Sequence, residues 1–237
     1  VFVDDPANPR TAFAFSPEGC YLAGNPDNDT FNRALNEAIY AGKAFDEVNA
    51  LFFVCHPERW QERLRVVLDP RLPIEMTRHH YVCRELKTEW RVDVPDGFTV
   101  HRVDEPLLGR PRLRIPDHVT GWMKVNWGSI AAFLQRGFGC VTIHDWEVVS
   151  WSLADCVSGD ACEIGIRTLP AYRRRGLATI TAAAAVDHAL SNGFSMVGWH
   201  CPADNLGSIG TAERVGFEKE RDYTMYYVFL DEAEHLA

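Results

Sequence analysis

The alternation of apolar and polar residues predicts two strands in the second half of the chain. Between residues 162 and 168, the apolar side chains of Cys162, Ile164 and Ile166 alternate with polar or small ones, which indicates a strand with one buried face. A second apolar run, residues 196–201, stops at a proline and also indicates a strand. An alanine-rich segment between the two runs has the length and composition of a helix.

Further elements surround these strands. Asp145 to Glu147 are typical of the tight turn of a hairpin, and Asn205 and Gly216 supply the start and the end of a last helix. The predicted elements are a strand at 98–103, helices at 117–125 and 129–136, strands at 139–144 and 148–155, a helix at 177–190 and a helix between Asn205 and Gly216.

The first part of the chain shows a similar but looser mixture of elements. A Pro-Asp-Gly turn within residues 93–97 marks a domain boundary, so we expect an N-terminal domain at 1–93 and a second domain at 97–237. Before the boundary, strand-like segments lie near 11–15, 51–54 and 79–86, and helical ones near 30–41 and 58–68.

A basic turn precedes the alanine-rich helix. Arg173, Arg174 and Arg175 are followed by Gly176, so three cations stand where a helix begins and its first N–H groups lack partners. Glycine lets the backbone approach an anion closely. The turn therefore predicts a site for the pyrophosphate of a cofactor, although an isolated motif of this kind is more often a solvated basic turn.

These residues resemble the Gcn5-related N-acetyltransferase (GNAT) superfamily. Its acetyl-CoA signature is Gln or Arg, two residues, Gly, one residue, then Gly or Ala, and Arg173 to Ala178 fits it. Residues 205–217 resemble the family's next strand-to-helix segment. The strand through Trp199 and Cys201 resembles a little-described bacterial branch of the superfamily.

The resemblance implies an α/β (α+β) fold with a mixed, largely antiparallel sheet flanked by helices. A smaller α/β domain precedes it, and the order of its elements suggests a degenerate GNAT-like repeat. That first domain lacks the arginine–glycine signature, so we expect no cofactor site in it.

The resemblance also implies that acetyl-CoA is the donor. Its pantetheine arm would run beside one strand, and its pyrophosphate would bind at the turn and the helix that follows. The cofactor-binding residues expected on this basis are Ile166, Arg167, Thr168, Arg173, Arg174, Arg175, Gly176, Leu177, Ala178, Thr179, Asn205 and Ser208.

Proton transfer needs residues that the signature does not supply. Glu163 is the candidate general base because it projects from the donor-binding strand; a solvent-facing strand carboxylate is an equally good interpretation, and His200 is a weaker candidate base. Many family members carry a tyrosine acid where this chain has Ala212. Tyr223 is the candidate substitute, with Tyr226, Cys201 or water as alternatives.

Composition narrows the class of protein. A formal net charge of −9 argues against nucleic-acid binding. The seven cysteines form no CxxC pair and indicate reduced thiols without a metal site. No segment is long and apolar enough for a membrane span, and the first residues lack a signal-peptide pattern, so we expect a cytoplasmic protein. A homodimer is compatible with the sequence, which carries no pattern that decides the oligomeric state.

The sequence thus predicts an N-acetyltransferase that transfers an acetyl group from acetyl-CoA to a primary amine of a small molecule or peptide, by direct attack in a ternary complex. The alternative is a non-catalytic acyl-CoA-binding or regulatory module, which Ala212 keeps open.

Overall fold

The computed structural model describes residues 1–16, 19–41 and 49–230, and the chain forms two compact units. The first unit contains residues 1–78 and the segment that begins at Tyr223, and the second contains residues 79–222. The domain boundary expected at 93–97 falls inside the second unit. The division into 1–93 and 97–237 stays a prediction, and its last residues, 231–237, lie outside the described part.

The first unit is a sheet with helices. β2 and β3 form an antiparallel hairpin, β3 and β4 are parallel, and β4 pairs with β11 in antiparallel fashion. The elements of this unit are β1 (Phe2–Val3), β2 (Thr11–Ser16), β3 (Gly19–Gly24), α1 (Asp29–Tyr40), β4 (Ala50–His56), α2 (Trp60–Val67) and parts of β5 (Ile74–Cys83) and β11 (Glu218–Phe229).

Alternate residues of these strands form the core of the first unit. Phe13, Leu22 and Phe53 are fully or almost fully buried and pack with Trp60 and Leu64 of α2. The alternation of buried and exposed residues along β2 to β4 follows from the two-residue period of a strand.

The second unit contains the strands and helices on which the sequence prediction rests. Its strands lie in the order β5-β10-β9-β8-β7-β6, and only β9 and β10 pair in parallel among the pairs from β6 to β10. The elements are β6 (Phe98–Arg102), α3 (Glu105–Leu108), α4 (Asp117–Trp127), α5 (Ile130–Arg136), β7 (Gly139–His144), β8 (Glu147–Ser158), β9 (Ala161–Thr168), α6 (Leu177–Ser191), β10 (Met196–Pro202) and α7 (Leu206–Val215), with parts of β5 and β11.

Two apolar clusters pack in the second unit. One joins α6 and α7 to Cys162 and Ile164 of β9 and to Trp199 of β10. The other joins α4 and α5 to β7 and β8. Because side chains alternate along a strand, Glu163 and Gly165 project from β9 on the side opposite to α6.

Local sequence explains the main features of this unit. Ala182–Ala185 are buried, and their small side chains let α6 pack closely in its cluster. The hairpin turn predicted between β7 and β8 is confirmed, since Asp145 and Trp146 have φ values of 46° and 63°, as a type I′ turn requires. Among the described helices, none combines the length and apolar character needed to cross a bilayer.

Candidate active site

The strands β9 and β10 pair over three residues and then separate. Their register joins Ala161 to Met196 and ends at Glu163 opposite Gly198. Beyond that point β9 still pairs with β8 as far as Thr168, but no described strand pairs with its other edge. The backbone groups on that edge are therefore available to an extended ligand.

A cleft of about 740 Å³ opens beside this edge. Ile166, Arg167 and Thr168 of β9 line one side, and Thr211 and Arg214 of α7 line another. The rest of the lining comes from the turn and first residues of α6 and from the start of α7: Tyr172, Arg173, Arg174, Gly176, Leu177, Ala178, Thr179, Asn205, Leu206, Gly207 and Ser208.

The N-terminus of α6 faces the cleft without a side-chain cap. Gly176 precedes the helix with a φ of 77°, in the left-handed region that favours glycine, and no side chain of this residue can accept from the first turn. The first N–H groups of α6 and the positive end of its dipole therefore form a site for an anion.

The arginines of the turn take different positions. Arg173 and Arg174 line the cleft, and Arg173 Nε donates to Thr168 O at 3.2 Å, which fixes the turn against the end of β9. The guanidinium of Arg175 lies over the ring of Tyr172, 5.5 Å from its centroid, and Arg175 is not among the lining residues.

The residues expected at the start of α7 also line the cleft, but their side chains have structural partners. Asn205 Oδ1 accepts from Ser208 N at 3.1 Å and caps the helix. Ser208 Oγ accepts from Trp199 Nε1 at 3.0 Å. Both side chains fix α7 beside the strands.

Glu163 lies where β9 and β10 separate and contacts two histidines. Its Oε2 atom is 3.0 Å from His200 Nε2, and its Oε1 atom is 3.7 Å from His80 Nε2. The two imidazole rings stack, with centroids 4.3 Å apart and planes inclined by 12°. We call these three residues the His–Glu–His cluster.

The histidines keep the carboxylate of Glu163 ionised. Burial alone would raise its pKa, but the contacts with His200 and His80 outweigh burial and lower the pKa to about 2. A carboxylate with so low a pKa is a poor proton acceptor by itself. A carboxylate that stays ionised can instead orient a neighbouring imidazole and favour a proton on it.

The cluster brings three ligand-type atoms within 4.8 Å of one another, which raises the question of a metal ion. A histidine nitrogen directs its lone pair in the plane of its ring. The planes of His80 and His200 are nearly parallel, so their lone pairs do not converge on one ion at the distances that zinc requires. We therefore interpret the cluster as a set of ionic contacts.

A tryptophan covers β9 beside Gly165, on the face from which Glu163 also projects. Trp122 of α4 lies against Gly165, where a Cβ atom would be 2.0 Å from Trp122 Cζ2. Its indole Nε1 donates to Asp155 Oδ1, which also accepts from Asn126 Nδ2 at 3.0 Å. Gly165 is thus required by the close approach of an aromatic ring.

The structure brings most of the predicted cofactor residues to one cleft and leaves three predicted residues outside it. Glu163 lies at the point where β9 and β10 separate and is not among the lining residues. Arg175 packs on Tyr172, as described, and Tyr223 is half-buried, belongs to the first unit and does not line the cleft. The roles predicted for all these site residues stay predictions.

Sequence reasoning did not find the partners of Glu163. His80 and Gly198 lie in strands that were predicted near 79–86 and 196–201, but a single strand pattern does not show which strands are neighbours. Side chains alternate along β5, so His79 and His80 lie on opposite faces of the strand. His80 is the buried one, at 6% exposure.

Comparisons with known proteins agree with this architecture. A family model described as "GNAT acetyltransferase" matches residues 1–226. The chain is 25% identical over 232 residues to the uncharacterized N-acetyltransferase YdfB of Bacillus subtilis (strain 168), covering 96% of this chain and 84% of that protein.

Solved structures show the same fold. A GCN5-related N-acetyltransferase-like protein from Streptococcus suis 89/1591 matches with a TM-score of 0.68 and 24% identity, over 95% of this chain and 86% of the other. A tandem GNAT protein from the clavulanic acid biosynthesis pathway matches with a TM-score of 0.56 and 11% identity, over 96% of this chain and 81% of the other.

Proposed function

Because the chain belongs to the GNAT acetyltransferase family and is an acyltransferase, we propose that it transfers an acetyl group from acetyl-CoA to a primary amine while both substrates are bound. The observation that carries the proposal is the position of Glu163 and His200 at the point where β9 and β10 separate. A donor in the cleft beside the open edge of β9 would place its reactive end near this pair.

The cleft supplies the groups that such a donor needs. The uncapped first turn of α6, with Arg173 and Arg174, would hold the pyrophosphate by N–H groups and positive charge. The open edge of β9 at Ile166 to Thr168 would pair with the amides of the pantetheine arm. Backbone N–H groups of the same strand would polarise the thioester carbonyl.

The amine must lose a proton to attack the thioester carbon. We propose that His200 takes this proton and that Glu163, ionised beside it, orients the imidazole and stabilises the imidazolium, as a carboxylate beside a histidine base does. Glu163 therefore acts in proton transfer through His200. The new C–N bond forms, the C–S bond breaks, and the thiolate of coenzyme A takes a proton from water or from Tyr223, which stays the candidate acid.

A second candidate function is binding of acyl-CoA without turnover. Ala212 favours it, because this residue is fully buried and offers no proton where many family members have a tyrosine. The two candidates differ in turnover and not in binding. The cytoplasmic location and a homodimer remain part of the proposal and rest on the sequence alone.

Release of the coenzyme A thiol in the presence of a panel of primary amines tests the function. We expect saturable release with at least one class of amine, and we expect Glu163→Gln to lower kcat by on the order of a hundredfold, because a positioned base contributes about 10² to 10⁴ in rate. The variant should still be stabilised against thermal unfolding by acetyl-CoA. Binding of acetyl-CoA without release across the whole panel would favour the non-catalytic candidate.

A further inference from the structure

His80 contacts both members of the proposed catalytic pair from a neighbouring strand. It lies in β5, next to β10 in the sheet, and is 6% exposed. Its ring stacks on His200, and its Nε2 atom is 3.7 Å from Glu163 Oε1. A side chain from before the predicted domain boundary thus belongs to the second unit and touches the site.

Gly198 makes the contact between Glu163 and His80 sterically feasible. β10 lies between β9, which carries Glu163, and β5, which carries His80. A Cβ atom on Gly198 would lie 2.6 Å from Glu163 Oε1 and 2.7 Å from Glu163 Cδ. The carboxylate therefore occupies the space that any other residue at position 198 would fill, and it crosses β10 to reach His80.

A second carboxylate lies on the far side of His80. Its Nδ1 atom is 3.0 Å from Glu220 Oε2 of β11, and the Glu220 side chain is 42% exposed and lies 3.7 Å from Arg84. Among the described residues, neither ring nitrogen of His80 has an aligned hydrogen bond. The imidazole therefore lies between the two carboxylates and is stacked on the ring of His200.

We propose that His80 is a positioning residue for acetyl transfer, and that Glu220 positions His80 in turn. The proposal rests on the proposed function, since it assigns His80 the task of holding the Glu163 carboxylate against His200. Without a partner at His80, the carboxylate would turn toward solvent. The imidazole of His200 would then lose both its orienting anion and the ring on which it stacks.

The decisive variant is His80→Phe, which keeps a stacked ring but removes both nitrogens. We expect kcat to fall by about tenfold to a hundredfold, because small misplacements of a catalytic group have effects of this order, while the KM for acetyl-CoA stays within about twofold. The matched control is His79→Phe, one residue earlier in β5, whose imidazole pairs with Asp222 instead. It should keep the wild-type kcat.

A double-mutant cycle distinguishes positioning from a general effect on the fold. If His80 acts through Glu163, then His80→Phe should have little further effect on kcat in a Glu163→Gln background. An equal effect in both backgrounds, or a wild-type kcat for His80→Phe alone, would overturn the proposal and leave the proposed function standing. A wild-type kcat for Glu163→Gln would overturn both.

Two further measurements test the proposal if His80→Phe does not fold or if no amine of the panel is a substrate. Glu220→Gln changes an exposed residue, and we expect it to lower kcat severalfold in the same direction. In long-range nitrogen NMR spectra of the histidine rings, the His200 signals should move in His80→Phe and stay in place in His79→Phe. Unmoved His200 signals, or an unchanged kcat in Glu220→Gln, would contradict the corresponding contact.

Discussion

Two glycines of the second unit are required by their neighbours and not by their own backbone. Gly165 leaves room for the indole of Trp122, and Gly198 leaves room for the carboxylate of Glu163. A small side chain at either position would meet atoms at less than 3 Å. The two glycines therefore set the environment of Glu163, one along its own strand and one on the strand beside it.

The first residue-scale prediction concerns Gly198→Ala. The added methyl would displace the Glu163 carboxylate, so we expect a loss of kcat similar to that of Glu163→Gln, with acetyl-CoA binding retained. Gly121→Ala in α4 is the matched control, because nothing lies within 4 Å of its Cβ position. It should raise the unfolding free energy by about 0.5 to 1 kcal/mol, since alanine suits a helix better than glycine. Unimpaired turnover by Gly198→Ala would mean that the carboxylate does not cross β10.

The second prediction concerns pH and the Glu163 charge. The pKa of Glu163 is about 2 in the folded protein against 4.5 ordinarily, so the ionised form contributes stability above pH 4.5 that is lost as the pH falls toward 2. Wild type should exceed Glu163→Gln in unfolding free energy at pH 5 by on the order of 3 kcal/mol, because each pKa unit between 4.5 and about 2 corresponds to about 1.4 kcal/mol.

Denaturant unfolding at a series of pH values measures this difference. It should be present at pH 5 and shrink as the pH falls below 4.5 toward 2. Glu218→Gln is the control, since its exposed pair with Lys87 contributes little. A difference that grows as the pH falls from 4.5 toward 2 would contradict the depressed pKa.

At the scale of elements, the sequence predicted the parts of the site that are local. The strand at 139–144 has the predicted bounds, α6 ends one residue later than expected, and the left-handed Gly216 ends α7. Each of these element bounds could be predicted from a pattern that spans only a few residues. The turn at Gly176 and the start of α6 could be predicted because they are contiguous in the chain.

The parts that escaped prediction depend on which strands are neighbours. β5 begins at Ile74 and ends at Cys83, earlier than the expected 79–86 at both ends, and its position beside β10 leaves no local signal. His80 and Glu163 are 83 positions apart in the chain, and they meet only because their strands lie close together in the sheet. Two-residue periodicity shows the face of a residue but not its partner.

The element-scale prediction tests the N-terminus of α6. Arg173→Glu combined with Gly176→Asp places two negative charges where the helix dipole and the cleft favour an anion, and it strains a residue with a φ of 77°. We expect the thermal stabilisation by acetyl-CoA to disappear. The control is Arg175→Glu, which also replaces an arginine by a glutamate. Arg175 packs on Tyr172 and does not line the cleft, so this variant should keep most of the stabilisation. Equal losses in the two variants would indicate a general charge effect.

At the scale of the whole molecule, the two units differ at their helix starts. In the first unit, Asn28 Oδ1 accepts from Phe31 N and Asp29 adds negative charge in the first turn of α1. That N-terminus is therefore satisfied from within the chain and repels anions. The start of α6 in the second unit has neither a capping side chain nor an acidic residue in its first turn.

This difference predicts one acetyl-CoA per chain. In the first unit, Arg59 and Arg63, near the start of α2, are paired with Asp27, and the carboxylate of Glu62 stands in the first turn of α2. This helix start has no side-chain cap either, but it lacks the net positive charge that favours a pyrophosphate. Isothermal titration calorimetry of the intact chain should give a stoichiometry of one. The Arg173→Glu, Gly176→Asp variant should then show no binding at all. A stoichiometry of two, or residual binding of one equivalent in that variant, would place a second donor site in the first unit and would support a functional rather than a degenerate repeat.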